Sequence, residues 1–119
     1  MNLDLVYSYF IAHLRGLIED DPIPFEIKSL VFFVNENNEI GFSGTEEKNV
    51  STVDFYFYFP LESEYFDYKP LYNYFSTNNF TRNQVIDYLK NLLLKLTKDS
   101  YFGKFNIFYG NLFSKAKKI

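Results

Sequence analysis

Cysteine and tryptophan are absent from this chain of 119 residues, and histidine and methionine occur once each. The missing cysteines exclude a disulfide framework, thiol catalysis and thiolate metal sites. A single imidazole, His13, has no second imidazole or thiol with which to complete a zinc site. The opening residues Met1-Asn2-Leu3-Asp4 lack the basic stretch, apolar run and small-residue cleavage site of a signal peptide. No apolar stretch approaches the roughly 18 residues that a membrane helix needs. The expected setting is therefore the cytoplasm, without membrane association. The length leaves room for one domain spanning residues 1–119, ending in a short basic tail, and a core large enough to fold without metal or disulfide.

Aromatic residues are what the chain has in excess: 15 Phe and 11 Tyr. Burying part of the Phe set suffices for a core, at roughly 1.5–3 kcal/mol each. Every buried tyrosine hydroxyl wants a hydrogen-bond partner, so some tyrosines are expected at the surface, where they favour recognition. Phe, Tyr, Asn, Ile and Lys share AT-rich codons. Base composition can account for their excess, though not for where they fall. The formal charge of −3 is unevenly spread. Residues 1–81 carry thirteen acidic and four basic groups, a net −9, and residues 82–119 carry eight basic and two acidic groups, a net +6. Two faces of opposite sign follow if the fold keeps those segments apart.

Periodicity predicts a helix over residues 3–18, with Leu3, Val6, Phe10, Leu14 and Leu17 on one face and Asn2 as cap. Glu19-Asp20-Asp21 sit at the wrong end for the helix dipole, and Pro22 and Pro24 forbid continuation. Residues 26–34 form a strand covered on both faces, followed by a turn at 35–39 and a short strand at Ile40–Ser43. The clearest strand is 50–59, with Val53, Phe55, Phe57 and Phe59 on the core side and Asp54, Tyr56 and Tyr58 on the other. Pro60 ends it. Residues 61–79 lack a clean period. Pro70 suggests a loop, with a short edge strand at Leu71–Phe75. The most secure helix is 81–98, with a Thr81/Gln84 capping box, a Phe80/Val85 staple and a stripe of Val85, Leu89, Leu92, Leu93 and Leu96. A last strand holds Phe105, Ile107 and Tyr109, and Lys115, Lys117 and Lys118 make a frayed basic terminus. The expected fold is α+β, in the order α-β-β-β-(β)-α-β. It has an antiparallel sheet of four to five strands with two main helices on one face.

Catalytic patterns are missing. His13 is expected at a helix margin without a role, and no nucleophile-elbow motif accompanies it. Glu19-Asp20-Asp21 lack the spaced oxygen ligands of a calcium loop. Gly41-Phe42-Ser43-Gly44 lack the lysine of a phosphate loop. The run Phe55-Tyr56-Phe57-Tyr58-Phe59 resembles sheets that stack bases, but its flanking acids repel phosphate. The expectation is a protein that is not an enzyme, holds no metal and no cofactor, and has a protein rather than nucleic acid as its partner.

What stands out is an acidic, tyrosine-rich constellation: Asp54, Tyr56, Tyr58, Glu62, Glu64, Tyr65, Asp67 and Tyr68. Its carboxylates imitate nucleic-acid phosphates, and its tyrosines supply amphipathic contact area. Such a surface steers toward a basic partner and plugs its cleft. In size, acidity and this surface type, the chain resembles the immunity proteins of contact-dependent inhibition and other polymorphic toxin systems. The resemblance implies a small cytoplasmic α+β protein that neutralises one cognate toxin domain. No motif carries it, so no residue role is transferred. The alternatives are another interaction module, such as a phage or mobile-element inhibitor or an assembly subunit, and a small nucleic-acid-binding regulator using the lysine-rich C-terminal segment.

Overall fold

The computed structural model describes residues 2–20, 22–34, 38, 40–46, 57–60, 69–110 and 116–119, with Phe42 and residues 57–60 described by backbone alone. The first helix, α1 (Leu3–Asp20), starts where expected. Asn2 Oδ1 accepts the Leu5 N–H at 3.1 Å and so satisfies one of the open donors of the first turn. Val6, Phe10, Ile11 and Leu14 are buried, and the helix runs on through Glu19 to Asp20. No base balances the dipole in its last turn.

Strand β1 (Ser29–Val34) pairs antiparallel with β2 (Ile40–Thr45). Asn38, in the connection, has φ 60°, a left-handed backbone that Asn tolerates better than most residues. Strand β2 continues two residues beyond the predicted end. Strand β3 (Phe57–Pro60) pairs antiparallel with β2. Residues 50–56 of the predicted strand lie outside the described residues. Strand β4 (Asn106–Gly110) lies parallel to β1, and β5 (Lys117–Lys118) pairs antiparallel with β4. The sheet order is β3-β2-β1-β4-β5.

The α+β class is thus as expected, but the sheet is mixed rather than antiparallel. The hairpin signal that reveals β1 and β2 is local. The direction of β4 is set by the helical return that precedes it, which brings the chain back along β1 in the same sense. The basic terminus differs too. Lys117–Lys118 close the sheet, and the Ile119 N–H donates to the Ile107 carbonyl at 2.9 Å.

The predicted edge strand at Leu71–Phe75 is instead helical, in α2 (Lys69–Thr77). Pro70 falls in the first turn, where its missing N–H has no helical partner to lose and its fixed φ suits the helix. Leu71 and Phe75, four residues apart, are the buried pair. The helix ends in a Schellman motif. Asn79 has φ 55°, the Phe80 N–H reaches the Phe75 carbonyl at 2.9 Å, and the Asn79 N–H reaches Ser76 at 3.1 Å. The Phe75 and Phe80 rings meet at 5.2 Å, the apolar contact that usually accompanies this ending.

Helix α3 (Arg82–Leu96) begins at once, with Phe80 directly before its N-cap Thr81. The Thr81 hydroxyl accepts the Gln84 N–H at 3.2 Å, and the Gln84 side chain accepts the Thr81 N–H at 2.8 Å. The capping box is as expected, and so is the stripe of Val85, Leu89, Leu92, Leu93 and Leu96, all buried. Among the described residues three helices, rather than the two main ones expected, therefore pack on the sheet. Their buried residues form one cluster with Leu30, Phe32, Val34, Ile40 and Ile107. Ser29, Val31, Ser43, Thr45 and Phe108 are buried as well but stand outside that cluster, in the alternate rows of the sheet. Strand β1 is thus covered on both faces, as its unbroken apolar run predicts.

Candidate functional site

Of the eight residues of the acidic, tyrosine-rich constellation, Tyr58 lies in β3, and its register position is opposite Ser43. Asp54, Tyr56, Glu62, Glu64, Tyr65, Asp67 and Tyr68 lie outside the described residues. Among the described strands β3 ends the sheet order, and α2 begins at Lys69, directly after Tyr68 in sequence. Helix α2 is tied to the same side of the sheet: the Ile40 N–H at the start of β2 donates to the Tyr72 hydroxyl at 3.2 Å. In sequence, Glu62, Glu64, Tyr65, Asp67 and Tyr68 fall between β3 and α2, and Asp54 and Tyr56 precede β3.

Packing accounts for most of the other tyrosines. Tyr7, Tyr72, Tyr74, Tyr88, Tyr101 and Tyr109 all pack half-buried against the core. Tyr74 and Tyr88 join Phe75 and Phe80 in one aromatic group, with ring centroids 5.2–6.2 Å apart. Burial raises the Tyr88 pKa, with a smaller contribution from Tyr74. Outside the constellation only Tyr9 is well exposed. Six of the seven tyrosines outside residues 54–68 thus serve packing.

Among the described residues the condition for two faces of opposite sign, that the acidic and basic segments stay apart, is not met. Asp4 of α1 pairs with Lys95 of α3, and Arg15 of α1 pairs with Asp99 just beyond it. Strand β1 from the acidic segment lies between β2 and β4, so the two segments interleave.

Sequence reasoning missed two polar residues, and periodicity holds a signal for one of them. His13 is buried rather than marginal, at 2% exposure, with a pKa lowered to about 4 by desolvation. It lies three residues after Phe10 on the buried side of α1, a spacing that the stripe of apolar residues already implies. Asp99 organises the turn after α3. Its Oδ2 accepts the N–H groups of Tyr101 and Phe102, both at 2.9 Å, while Oδ1 faces Arg15. Burial acts to raise its pKa, but the two backbone donors and Arg15 outweigh it and hold the carboxyl below its ordinary value. Its geometry is that of a structural cap. Among the described residues no group of three or more His, Asp and Glu side chains converges as metal ligands. No helix there is long and apolar enough to cross a membrane.

Comparison of the chain with protein-family models, with curated proteins and with solved structures gives no match.

Proposed function

We propose that this chain is a toxin-neutralising immunity protein of the bacterial cytoplasm, which binds one cognate toxin domain, a basic nuclease, through residues 54–68. The observation that carries this reading is the composition of one continuous stretch of sequence, which runs through β3 and up to the start of α2. Between Lys48 and Lys69 there are four carboxylates, four tyrosines and no lysine or arginine. An unbroken run of one sign attracts a basic cleft and excludes acidic partners, and tyrosines are preferred anchors in such contacts.

The test is co-expression with a toxin domain encoded beside the chain, together with a binding measurement on the purified pair. The expected outcome is a heterodimer and restored growth. Replacing Tyr56, Tyr58, Glu62 and Asp67 together with Ala should weaken binding by about a hundredfold or more. Raising the salt concentration should slow association more than it speeds dissociation. Unchanged affinity in the quadruple variant would remove this stretch from the interface.

A further inference from the structure

A groove of about 390 Å³ opens at the end of the sheet where the parallel strands β1 and β4 begin. One wall is the segment entering β1, with Phe25 and Lys28, and the other is the turn after α3, with Tyr101, Lys104, Phe105 and Asn106. The residues that line it lie outside the 54–68 stretch in sequence, and its role does not depend on the reading above.

The second wall is built with care. Asp99 holds the N–H groups of Tyr101 and Phe102, and Phe102 is fully buried as the anchor. Gly103 permits the tight return: a Cβ there would stand 2.5 Å from the Thr97 carbonyl oxygen. The result sets the Tyr101 and Phe105 rings edge to face, 5.7 Å apart, with the Lys104 ammonium 4.2 Å from the first ring centre and 5.3 Å from the second. On the facing wall Phe25 is 90% exposed. A phenylalanine left in water beside a groove forgoes most of its burial energy, so an occupant that covers it gains that energy.

Each feature narrows the occupant. The volume falls within the roughly 300–1,000 Å³ of small-molecule sites. Aromatic walls take a flat π-system. Among the described residues two lysines and no carboxylate line the groove, which favours an anionic ligand. The Asn106 amide can both donate to and accept from a heterocycle edge. A peptide adding to the sheet has nothing to hold here. The Lys28 N–H already donates to Thr45 at 2.9 Å, and the Asn106 N–H to Lys28 at 3.0 Å. A long polyanion is opposed by the chain's net charge of −3, whereas a single nucleotide engages the two lysines alone. We propose that this groove binds a nucleoside phosphate, its base against Phe25, Tyr101 and Phe105 and its phosphate on Lys28 and Lys104.

The test is an amide NMR titration of the full chain with AMP, GMP, CMP and UMP, with adenosine and inorganic phosphate as the separate halves. The expected result is saturable shifts at residues 25–28 and 101–106, with at least one nucleotide binding more tightly than either half. Phe25→Ala should weaken binding about five- to tenfold, as loss of a stacking surface does. Because Phe25 is exposed, this variant keeps the fold, which the unchanged remainder of the spectrum verifies. Lys104→Gln should weaken binding too and reduce its salt dependence. Absence of saturation by all four nucleotides at millimolar concentration overturns the proposal. So does binding that Phe25→Ala leaves unchanged. An acidic tyrosine-containing peptide that shifts the same amides when the nucleotides do not would assign the groove to a protein partner instead, and would equally end it.

Discussion

Helices α1 and α3 touch, yet they are held in opposite ways. Helix α3 is specified by its own sequence: a capping box at one end, Lys95 at the other and a clean leucine stripe between. Helix α1 has its Asn2 cap but carries a buried histidine, an exposed Leu5 and Tyr9, and two acids where the dipole wants bases. Both helices bury an apolar face, but α3 adds strong local signals at both ends, whereas α1 leans more on what it buries. Surface signals of this kind are each worth about 1 kcal/mol or less, and a buried aromatic is worth several times more. The difference is therefore measurable.

The largest effect should come from the residue that seats α1. Phe10 is fully buried and meets Phe32 of β1 edge-on, with centroids 6.0 Å apart. Phe10→Ala should cost about 3–5 kcal/mol in urea unfolding, a large part of the stability of an ordinary small domain. A cost near 1 kcal/mol would mean that α1 is not held by burial, and the contrast would fail.

His13 gives the next effect, and its sign is fixed by its environment. Its folded pKa of about 4 lies below the ordinary 6.5. Between those values the unfolded chain binds a proton that the folded chain refuses, so stability falls as the pH falls. The contribution is complete above pH 6.5, declines on acidification and levels off below about pH 4, for a total on the order of 3 kcal/mol. His13→Leu should flatten that part of the stability profile. Asp99, with its lowered pKa, acts in a more acidic window. Its contribution is present above the ordinary carboxyl value of 3.8 and is lost as the pH drops through its folded pKa. A wild-type profile that is flat from pH 6.5 to 4 would show that His13 is hydrated in the folded state.

Helix α3 sharpens the contrast from the other side. Thr81→Ala removes a cap that accepts the Gln84 N–H, and should cost about 1 kcal/mol. A loss as large as that of Phe10→Ala would make the local signals of α3 equal to the burial of α1, contrary to the comparison.

The same contrast explains what could be foreseen. The α3 boundaries, the capping box and the leucine stripe were legible because each is local in sequence. The β1–β2 hairpin was legible for the same reason. The parallel β1–β4 pairing was not, since it depends on where a chain re-enters after two helices. Pro70 misled because proline breaks helix interiors but is accommodated in a first turn. The burial of His13 was concealed by its polarity, though its spacing from Phe10 pointed inward. At the candidate interface, composition alone singled out residues 54–68. The groove escaped notice because Phe25 and Tyr101–Asn106 are distant in sequence and meet only through the fold.

The smallest effect concerns the uncorrected end of α1. Glu19 and Asp20 are exposed and lie in its last turn, where the partial negative charge of the helix terminus repels them. Asp20→Lys replaces that repulsion by attraction and should raise stability by about 0.3–1 kcal/mol at low salt, with the gain shrinking as salt is added. Asp20 suits the experiment better than the neighbouring acid because Glu19 lies one helical turn from Arg15, whose pairing with Asp99 would confuse the result. The converse change at the end of α3, Lys95→Glu, is not a clean mirror image, because it also breaks the pair with Asp4. A stabilised, salt-sensitive Asp20→Lys variant would show that α1 tolerates a poor ending because its buried face outweighs it. A neutral result would place the end of that helix in a field set by other charges.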